Sequence, residues 1–334
     1  MSRIPTLNEY TSLQKFLHRV SLSPKFVRKL SFDLEKFFFL KSDVLENCNH
    51  VFVTGLARSG TTIMLRALYD SSDFATLTYA DMPFLLAPNI WGKLQRPANP
   101  QPLKERAHGD GILVNVESPE AFEEVYWMTQ DEPEASAEFN NYIQLILKKY
   151  NKKRYLSKNN QNVRRLSSLL QLLPHSSFLI PFREPLQHAN SLYTQHTRFL
   201  KAQSSDNFVK DYMDWIGHSE FGRGYKPYFE KEGQYNDPSN LNHWLEQWLF
   251  MYTKLADEFS EVERVRFVCY EDLCNDNSVW ISILAALNLN MGHSFNFSES
   301  HKSIVIDYDK DIFNKASVIY EKMRRIQRSQ LLIH

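Results

Sequence analysis

The stretch His50-Val51-Phe52-Val53-Thr54-Gly55-Leu56-Ala57-Arg58-Ser59-Gly60-Thr61-Thr62-Ile63-Met64-Leu65-Arg66-Ala67-Leu68-Tyr69-Asp70 decides the fold. Its first five residues are an apolar, β-branched run of strand length. From Thr61 to about Asp70 the apolar residues recur at helical spacing. Gly55 to Gly60 stands between them as a loop, so the unit is strand, glycine loop, helix. Glycines let backbone N–H groups turn inward, and the helix that follows presents its N-terminus to an anion.

The loop has the G-x4-G frame of a P-loop but departs from the Walker A pattern, which continues with Lys and then Ser or Thr. Thr61 occupies the Lys position, and the basic residue lies inside the loop as Arg58. A loop that keeps the phosphate cradle without that Lys suits a nucleotide with one 5′-phosphate and a transferable group. Thr61 and Thr62 add hydroxyl donors.

Outward from this unit, strands are expected over 74–79, 154–157, 178–182 and 265–269. Helices are expected over 9–41 (one or two), 133–149, 162–173, 185–201, much of 206–250, 278–287 and 309–332. Ser118-Pro119-Glu120 carries a helix-start signature, a capping hydroxyl with Pro at the first position, and predicts a helix to Thr129. Residues 81–116, rich in Pro and Asn, read as a long irregular segment of functional kind. Alternating strands and helices predict an α/β fold with a central, mostly parallel sheet flanked by helices, its ligand at the carboxyl ends of the strands. One domain overall is expected: a helical segment at 1–49, a core at 50–290 and a helical extension at 291–334. The basic face of that extension, with Arg324, Arg325 and Arg328, reads as solvated.

Composition narrows the function classes. The 334 residues carry 39 Lys and Arg against 39 Asp and Glu, which argues against nucleic acid as a main partner while allowing a local basic pocket. Cys48, Cys269 and Cys274 form no CxxC pair, so neither a disulfide framework nor a zinc site is expected. The eleven histidines form no HxH or HExxH motif. No metal requirement is therefore expected. No signal peptide is read at the N-terminus, and the longest apolar run, Phe37 to Leu40, is too short to span a bilayer. A cytoplasmic protein that does not span a membrane is the expectation.

A second motif follows in Phe178-Leu179-Ile180-Pro181-Phe182-Arg183-Glu184-Pro185, with Ser191 eight residues after Arg183. Arg183 stands at a strand tip and Pro185 opens a helix. A planar bidentate cation and a hydroxyl suit a second phosphate. Val265 to Leu273 ends in Tyr270-Glu271-Asp272-Leu273. Together these segments resemble the family of sulfotransferases that use 3′-phosphoadenosine 5′-phosphosulfate (PAPS). Gly55 to Thr62 resembles the 5′-phosphosulfate loop, and Arg at position 58 is similar to the tyrosylprotein and several bacterial branches. Arg183 and Ser191 resemble the 3′-phosphate motif, and the Tyr-Glu-Asp-Leu run resembles a late, structural element. The R-K-G-x-x-G-D-W-K element of the cytosolic branch has no counterpart here.

The resemblance implies a P-loop-containing sulfotransferase-like fold and sulfuryl transfer from PAPS to an acceptor hydroxyl, with 3′,5′-ADP as the product. It implies donor contacts from Arg58, Ser59, Gly60, Thr61, Thr62, Arg183 and Ser191. Lys158 either reaches the sulfonate or is a solvated lysine. The reaction needs a base for the hydroxyl. The candidates are Asp81, then His108, then the acidic group Glu117, Glu120, Glu123 and Glu124. Trp215, Tyr225, Tyr228, Trp244 and Trp248 are candidate stacking surfaces for a carbohydrate, the favoured acceptor. The i, i+4 spacing of Trp244 and Trp248 is more often that of a core face. The rival classes are a divergent P-loop nucleotide kinase, which would need Lys at position 61 and a Walker B Asp, and a non-catalytic nucleotide-binding module.

Overall fold

The computed structural model describes residues 11–40, 49–95, 102–105, 113–131, 137–229, 233–298, 304 and 306–331. The N-terminal half runs α1 (Ser12–Leu22), α2 (Lys25–Phe39), β1 (Val51–Val53), α3 (Thr61–Tyr69), β2 (Phe74–Ala75), α4 (Pro88–Leu94), β3 (Lys104–Glu105), β4 (Leu113–Val114), α5 (Glu124–Trp127) and α6 (Ala137–Tyr150). It continues with β5 (Arg154–Lys158), α7 (Leu166–Leu172), β6 (Ser177–Phe182), α8 (Pro185–Ser205) and α9 (Asn207–Trp215). The last part holds α10 (Leu241–Phe259), β7 (Val265–Cys269), α11 (Tyr270–Asn275), α12 (Asn277–Ala286) and α13 (Lys310–Leu331).

Five strands form a parallel sheet in the order β2-β5-β1-β6-β7, as the alternating pattern predicted. Side-chain alternation builds a core on each face. Phe52, Tyr155, Phe178, Ile180 and Phe182 enter one layer with α6, α8 and α10. Val51, Val53, Leu156 and Leu179 enter the other, against Met64, Leu65 and Leu68 of α3 and Trp280 and Ile283 of α12. With both faces covered, the strands are buried almost throughout.

Between β1 and β6 the chain's path reverses, since β1 leads toward β2 and β5 on one side and β6 leads to β7 on the other. Such a switch point opens a crevice at the carboxyl edge. The register places the strand tips there, with Val53 beside Lys158 on one side and Leu179 on the other.

Three parts of the sequence reading change. Residues 88–94 form α4 within the segment expected to be irregular, and β3 pairs antiparallel with β4. Pro88 suits the first helical position, and the buried Glu35 carboxylate caps the orphan amides by accepting from Asn89 N–H (2.6 Å) and Ile90 N–H (3.0 Å). The cap comes from α2, so the local sequence does not reveal it.

Ser118-Pro119-Glu120 is extended rather than helical. Its backbone pairs sideways with Leu77 to Tyr79, through Tyr79 N–H to Ser118 O (3.3 Å) and Glu120 N–H to Leu77 O (3.2 Å). The helix begins later, as α5.

Of the basic residues of the C-terminal helix α13, Arg325 and Arg328 are exposed as expected, while Arg324 is tied to the body, as are two glutamines of the helix. Arg324 Nη2 pairs with Asp272 Oδ1 at 2.6 Å, and Gln327 Nε2 donates to Asp272 Oδ2 at 2.9 Å. Gln330 accepts from Phe267 N–H (3.2 Å) and donates to Val265 O (2.9 Å), and Gln327 accepts from Cys269 N–H.

Two buried histidines stay neutral. Burial holds His50 down at about 4, and its Nδ1 accepts from Tyr155 N–H at 3.0 Å. Burial, with Arg183 and Arg58 nearby, holds His188 down at about 3. Both values lie below the ordinary 6.5, so the unfolded chain protonates first as the pH falls. Stability from these groups is complete above 6.5 and is lost on acidification, by about 4 kcal/mol for the two together at pH 5. Denaturant unfolding across this range tests it: His50→Gln should make the pH dependence shallower, and an unchanged slope would contradict the assignment.

Candidate active site

A cleft of about 250 Å³ opens at the carboxyl edge of the sheet. Arg58, Gly60, Thr61, Thr62, Arg183 and Tyr270 line one end, and Glu120, Lys158 and Asn160 also line the cleft. Gln195, Phe199, Met213, His218, Glu220 and Phe221 line the other end.

The loop after β1 leaves backbone amides without helical partners at its carboxyl end. Helix α3 starts when Met64 N–H donates to Gly60 O (3.0 Å), so the amides before Met64 have no acceptor within the helix. Arg58 has a φ of 70° and Gly60 a φ of 103°, both left-handed. A Cβ on Gly60 would lie 2.4 Å from the Tyr270 ring. Here the backbone and an aromatic face meet with no room for a side chain.

The side chain of His188 supports the loop from below. Its Nε2 lies 2.8 Å from Ala57 O, and since a carbonyl only accepts, Nε2 carries the hydrogen.

Residues far apart in the chain converge here. Arg58 Nε donates to Ser191 Oγ at 3.4 Å, and Arg183 Nη1 donates to Arg58 O at 3.4 Å. Glu271 lies 3.7 Å from Arg183 Nε and accepts from Glu184 N–H at 3.1 Å. The Arg183 guanidinium also sits 5.6 Å over the Tyr270 ring. The Tyr-Glu-Asp-Leu run, to which the sequence reading gave no chemistry, thus supplies a wall of the cleft and the carboxylate that orients Arg183.

Lys158 is buried at the tip of β5 and faces the cleft, which removes the solvated alternative. Ser59 departs from its expected role. Its side chain is fully buried, and its N–H turns back to Leu56 O at 3.3 Å, so the cleft is lined by its neighbours.

Among the base candidates, Asp81 is placed away from the cleft. It is fully buried, accepts from Thr78 N–H (2.8 Å) and Tyr150 Oη, and lies 3.8 Å from Lys149. Burial raises its pKa. This is a cap on the 79–81 turn, not a group facing a substrate.

His108 lies outside the described residues. Glu117 is exposed on the surface. Glu123 accepts from Trp127 Nε1, Tyr155 Oη and Asn162 Nδ2, at 2.9, 2.9 and 2.7 Å. Glu124 is paired with Arg165 at 3.0 Å. Of this acidic group, Glu120 faces the cleft. Its Oε2 accepts from Tyr79 Oη (2.8 Å) and its Oε1 from Ala121 N–H (2.9 Å).

The aromatic residues expected to stack on an acceptor do not line the cleft. Trp244, Trp248 and Tyr228 are core residues, Trp215 packs on Phe208, and Tyr225 packs on Trp244. Phe199 and Phe221 line it instead, their rings nearly parallel at 7° and 6.0 Å apart. Their spacing from the motifs gives no sequence signal, because α8 and the segment after α9 meet only in the fold. Among the described residues, no group of three His, Cys, Asp or Glu side chains is arranged to hold a metal.

Residues 50–222, just over half of the chain, match the sulfotransferase family, and the chain belongs to it. Solved structures with a similar course include the sulfotransferase STF1 of Mycobacterium tuberculosis, 15% identical over 94% of this chain and 86% of that one, with a TM-score of 0.46. Sulfotransferase STF9 of Mycobacterium avium is 12% identical over 98% of this chain and 88% of its own, TM-score 0.46. A sulfotransferase of Alicyclobacillus acidocaldarius is 15% identical over 84% and 96%, TM-score 0.42. No curated protein sequence matches the chain.

Proposed function

We propose that the protein transfers a sulfuryl group from PAPS to an acceptor hydroxyl, with a carbohydrate as the favoured acceptor. The observation that carries the donor assignment is the convergence of Arg58, Arg183 and Ser191, from two separate motifs, beside the open helix N-terminus at Gly60. The steric fit of Gly60 against Tyr270 supports it, because a cradle without side chains lets a phosphate approach the backbone.

When bound, the donor supplies an activated sulfuryl group on a good leaving group. The amides of Gly60 to Thr62 hold the 5′-phosphate, and Arg183 with Ser191 takes the 3′-phosphate. Glu120 accepts the proton as the acceptor oxygen bonds to sulfur and the sulfur–phosphate oxygen bond breaks. Arg58 and Lys158 offset the charge that develops on the departing oxygen. At the far end, Phe199 and Phe221 offer an apolar surface to a sugar ring, while Gln195, His218 and Glu220 offer hydrogen bonds to its hydroxyls.

Calorimetric titration tests the donor. Tight, metal-independent binding of 3′,5′-ADP, with weak binding of ADP and ATP, is expected. Preference for ATP with Mg²⁺ would make the protein a divergent kinase, and binding of neither would favour a non-catalytic module. Arg183→Ala should weaken 3′,5′-ADP by about tenfold to a hundredfold, for a lost charge-assisted pair, and 5′-AMP far less. Equal weakening of both would break the 3′-phosphate assignment.

A further inference from the structure

We propose that the α1–α2 hairpin docks the protein on an anionic membrane surface, lying on it rather than crossing it. Among the described residues, no helix is long and apolar enough to cross a membrane. The hairpin nevertheless leaves large apolar side chains in solvent, with Leu13 67%, Phe16 60%, Phe26 71% and Phe37 81% exposed. Val20, Leu30 and Leu34 are exposed with them.

These residues are ordered by helical geometry. Leu13, Phe16, Leu17 and Val20 follow i, i+3, i+4, i+7 and share one face of α1. Phe26, Leu30, Leu34 and Phe37 share one face of α2, opposite the face that buries Arg28, Phe32 and Glu35. An ordinary surface helix turns one apolar stripe to the core and its polar residues outward. Here α2 has a second stripe with no core to meet. Contiguous exposed apolar patches mark sites of association.

Charge decides the occupant. Residues 12–39 hold six Lys and Arg against two Asp and Glu, in a chain whose formal net charge is zero. Of the two acids, Glu35 is buried against α4 and Asp33 is paired with Lys36 at 3.1 Å. Of the cations, Arg28 is buried, Lys15 meets Asp206 at 3.5 Å and Lys36 meets Glu138 at 3.0 Å, while Lys93 and Lys148 add charge over the Phe39 ring at 4.6 and 5.4 Å. Lys25 and Lys29 flank the stripe while sharing Asp131, each at 2.8 Å, and Arg19 flanks the stripe of α1. Phe and Leu on one face with Lys and Arg at its margin are the composition of helices lying in a bilayer interface, drawn to anionic lipid. Two like-charged copies would instead repel across such a face.

The position also suits a membrane-borne acceptor, and only this clause rests on the proposed function. Helix α1 packs on α9 through His18 and Tyr212, and α9 carries Met213 of the acceptor end.

Flotation with phosphatidylcholine vesicles, with and without phosphatidylserine, tests the docking. The protein should float with the phosphatidylserine vesicles, less at high salt, and the triple variant Phe16→Gln/Phe26→Gln/Phe37→Gln should lose at least about tenfold in partitioning. Melting temperature and 3′,5′-ADP binding of the variant should stay unchanged, since these side chains are exposed. Failure of the unmodified protein to float would overturn the proposal. So would a concentration-dependent dimer that the same substitutions dissolve, which would make this face an interface between copies. Neither result touches the donor site, which the calorimetric titration judges separately.

Discussion

Glu120→Gln should lower turnover by about 10²- to 10⁴-fold while leaving 3′,5′-ADP affinity unchanged, as removal of a positioned general base does. The argument is geometric. Glu120 is the member of the acidic group that faces the cleft, which Lys158 also lines. Tyr79 Oη and the Ala121 N–H fix both of its oxygens, so the carboxylate is oriented before any acceptor arrives. Gln keeps the shape and the Tyr79 contact but has no proton-accepting carboxylate. The companion variant is Asp81→Asn. It should disturb the 79–81 turn and lower stability, yet leave turnover per folded molecule near normal. The opposite pattern, with Asp81→Asn inactive and Glu120→Gln active, would return the base to Asp81.

Gly60→Ala should abolish measurable donor binding, with about a hundredfold or greater loss of 3′,5′-ADP affinity. Alanine at a φ of 103° costs about 1–3 kcal/mol in backbone strain. The larger effect is contact: the new Cβ would stand 2.4 Å from Tyr270 Cδ2 and 2.7 Å from Cε2. The ring is itself buried, so relief must come from displacing the loop and its amides, or the face on which Arg183 rests. A calorimetric titration of the variant checks this. Near-normal affinity would show that the loop amides do not hold the 5′-phosphate. The double variant Gly60→Ala/Tyr270→Ala separates strain from collision, since only the collision is relieved.

The sheet and the loop were legible in the sequence because their signals are local. Short, mostly apolar runs ending in Lys158, Arg183 and Tyr270, each with a helix after it, leave few arrangements open. Arg58, Arg183 and Ser191 came with their motifs for the same reason.

What escaped depends on contacts between segments distant in the chain. Asp81 stood first among the candidate bases, but the turn at Thr78 takes its carboxylate into the interior. The helix-start pattern at Ser118 was outcompeted by backbone pairing with Leu77 to Tyr79, and this extended course is what aims Glu120 at the cleft. The aromatic end of the cleft was illegible because Phe199 and Phe221 meet only when α8 packs against the segment after α9. The orienting role of Glu271 required the neighbouring tips of β6 and β7 to be side by side.

The glutamines of α13 have a consequence for the edge of the sheet. β7 is the outermost strand of its side of the sheet, and an outermost strand is a template on which another chain can add. Gln327 and Gln330 occupy that template with side-chain amides, meeting Val265 O and the N–H groups of Phe267 and Cys269 where a sixth strand would bond. A chain ending before Lys310 should therefore aggregate by strand addition, visible as rising light scattering and thioflavin fluorescence, even while the sheet itself still forms. The last helix acts as a stopper on a growing edge, and its short amide side chains do what a charged or proline-studded rim does elsewhere.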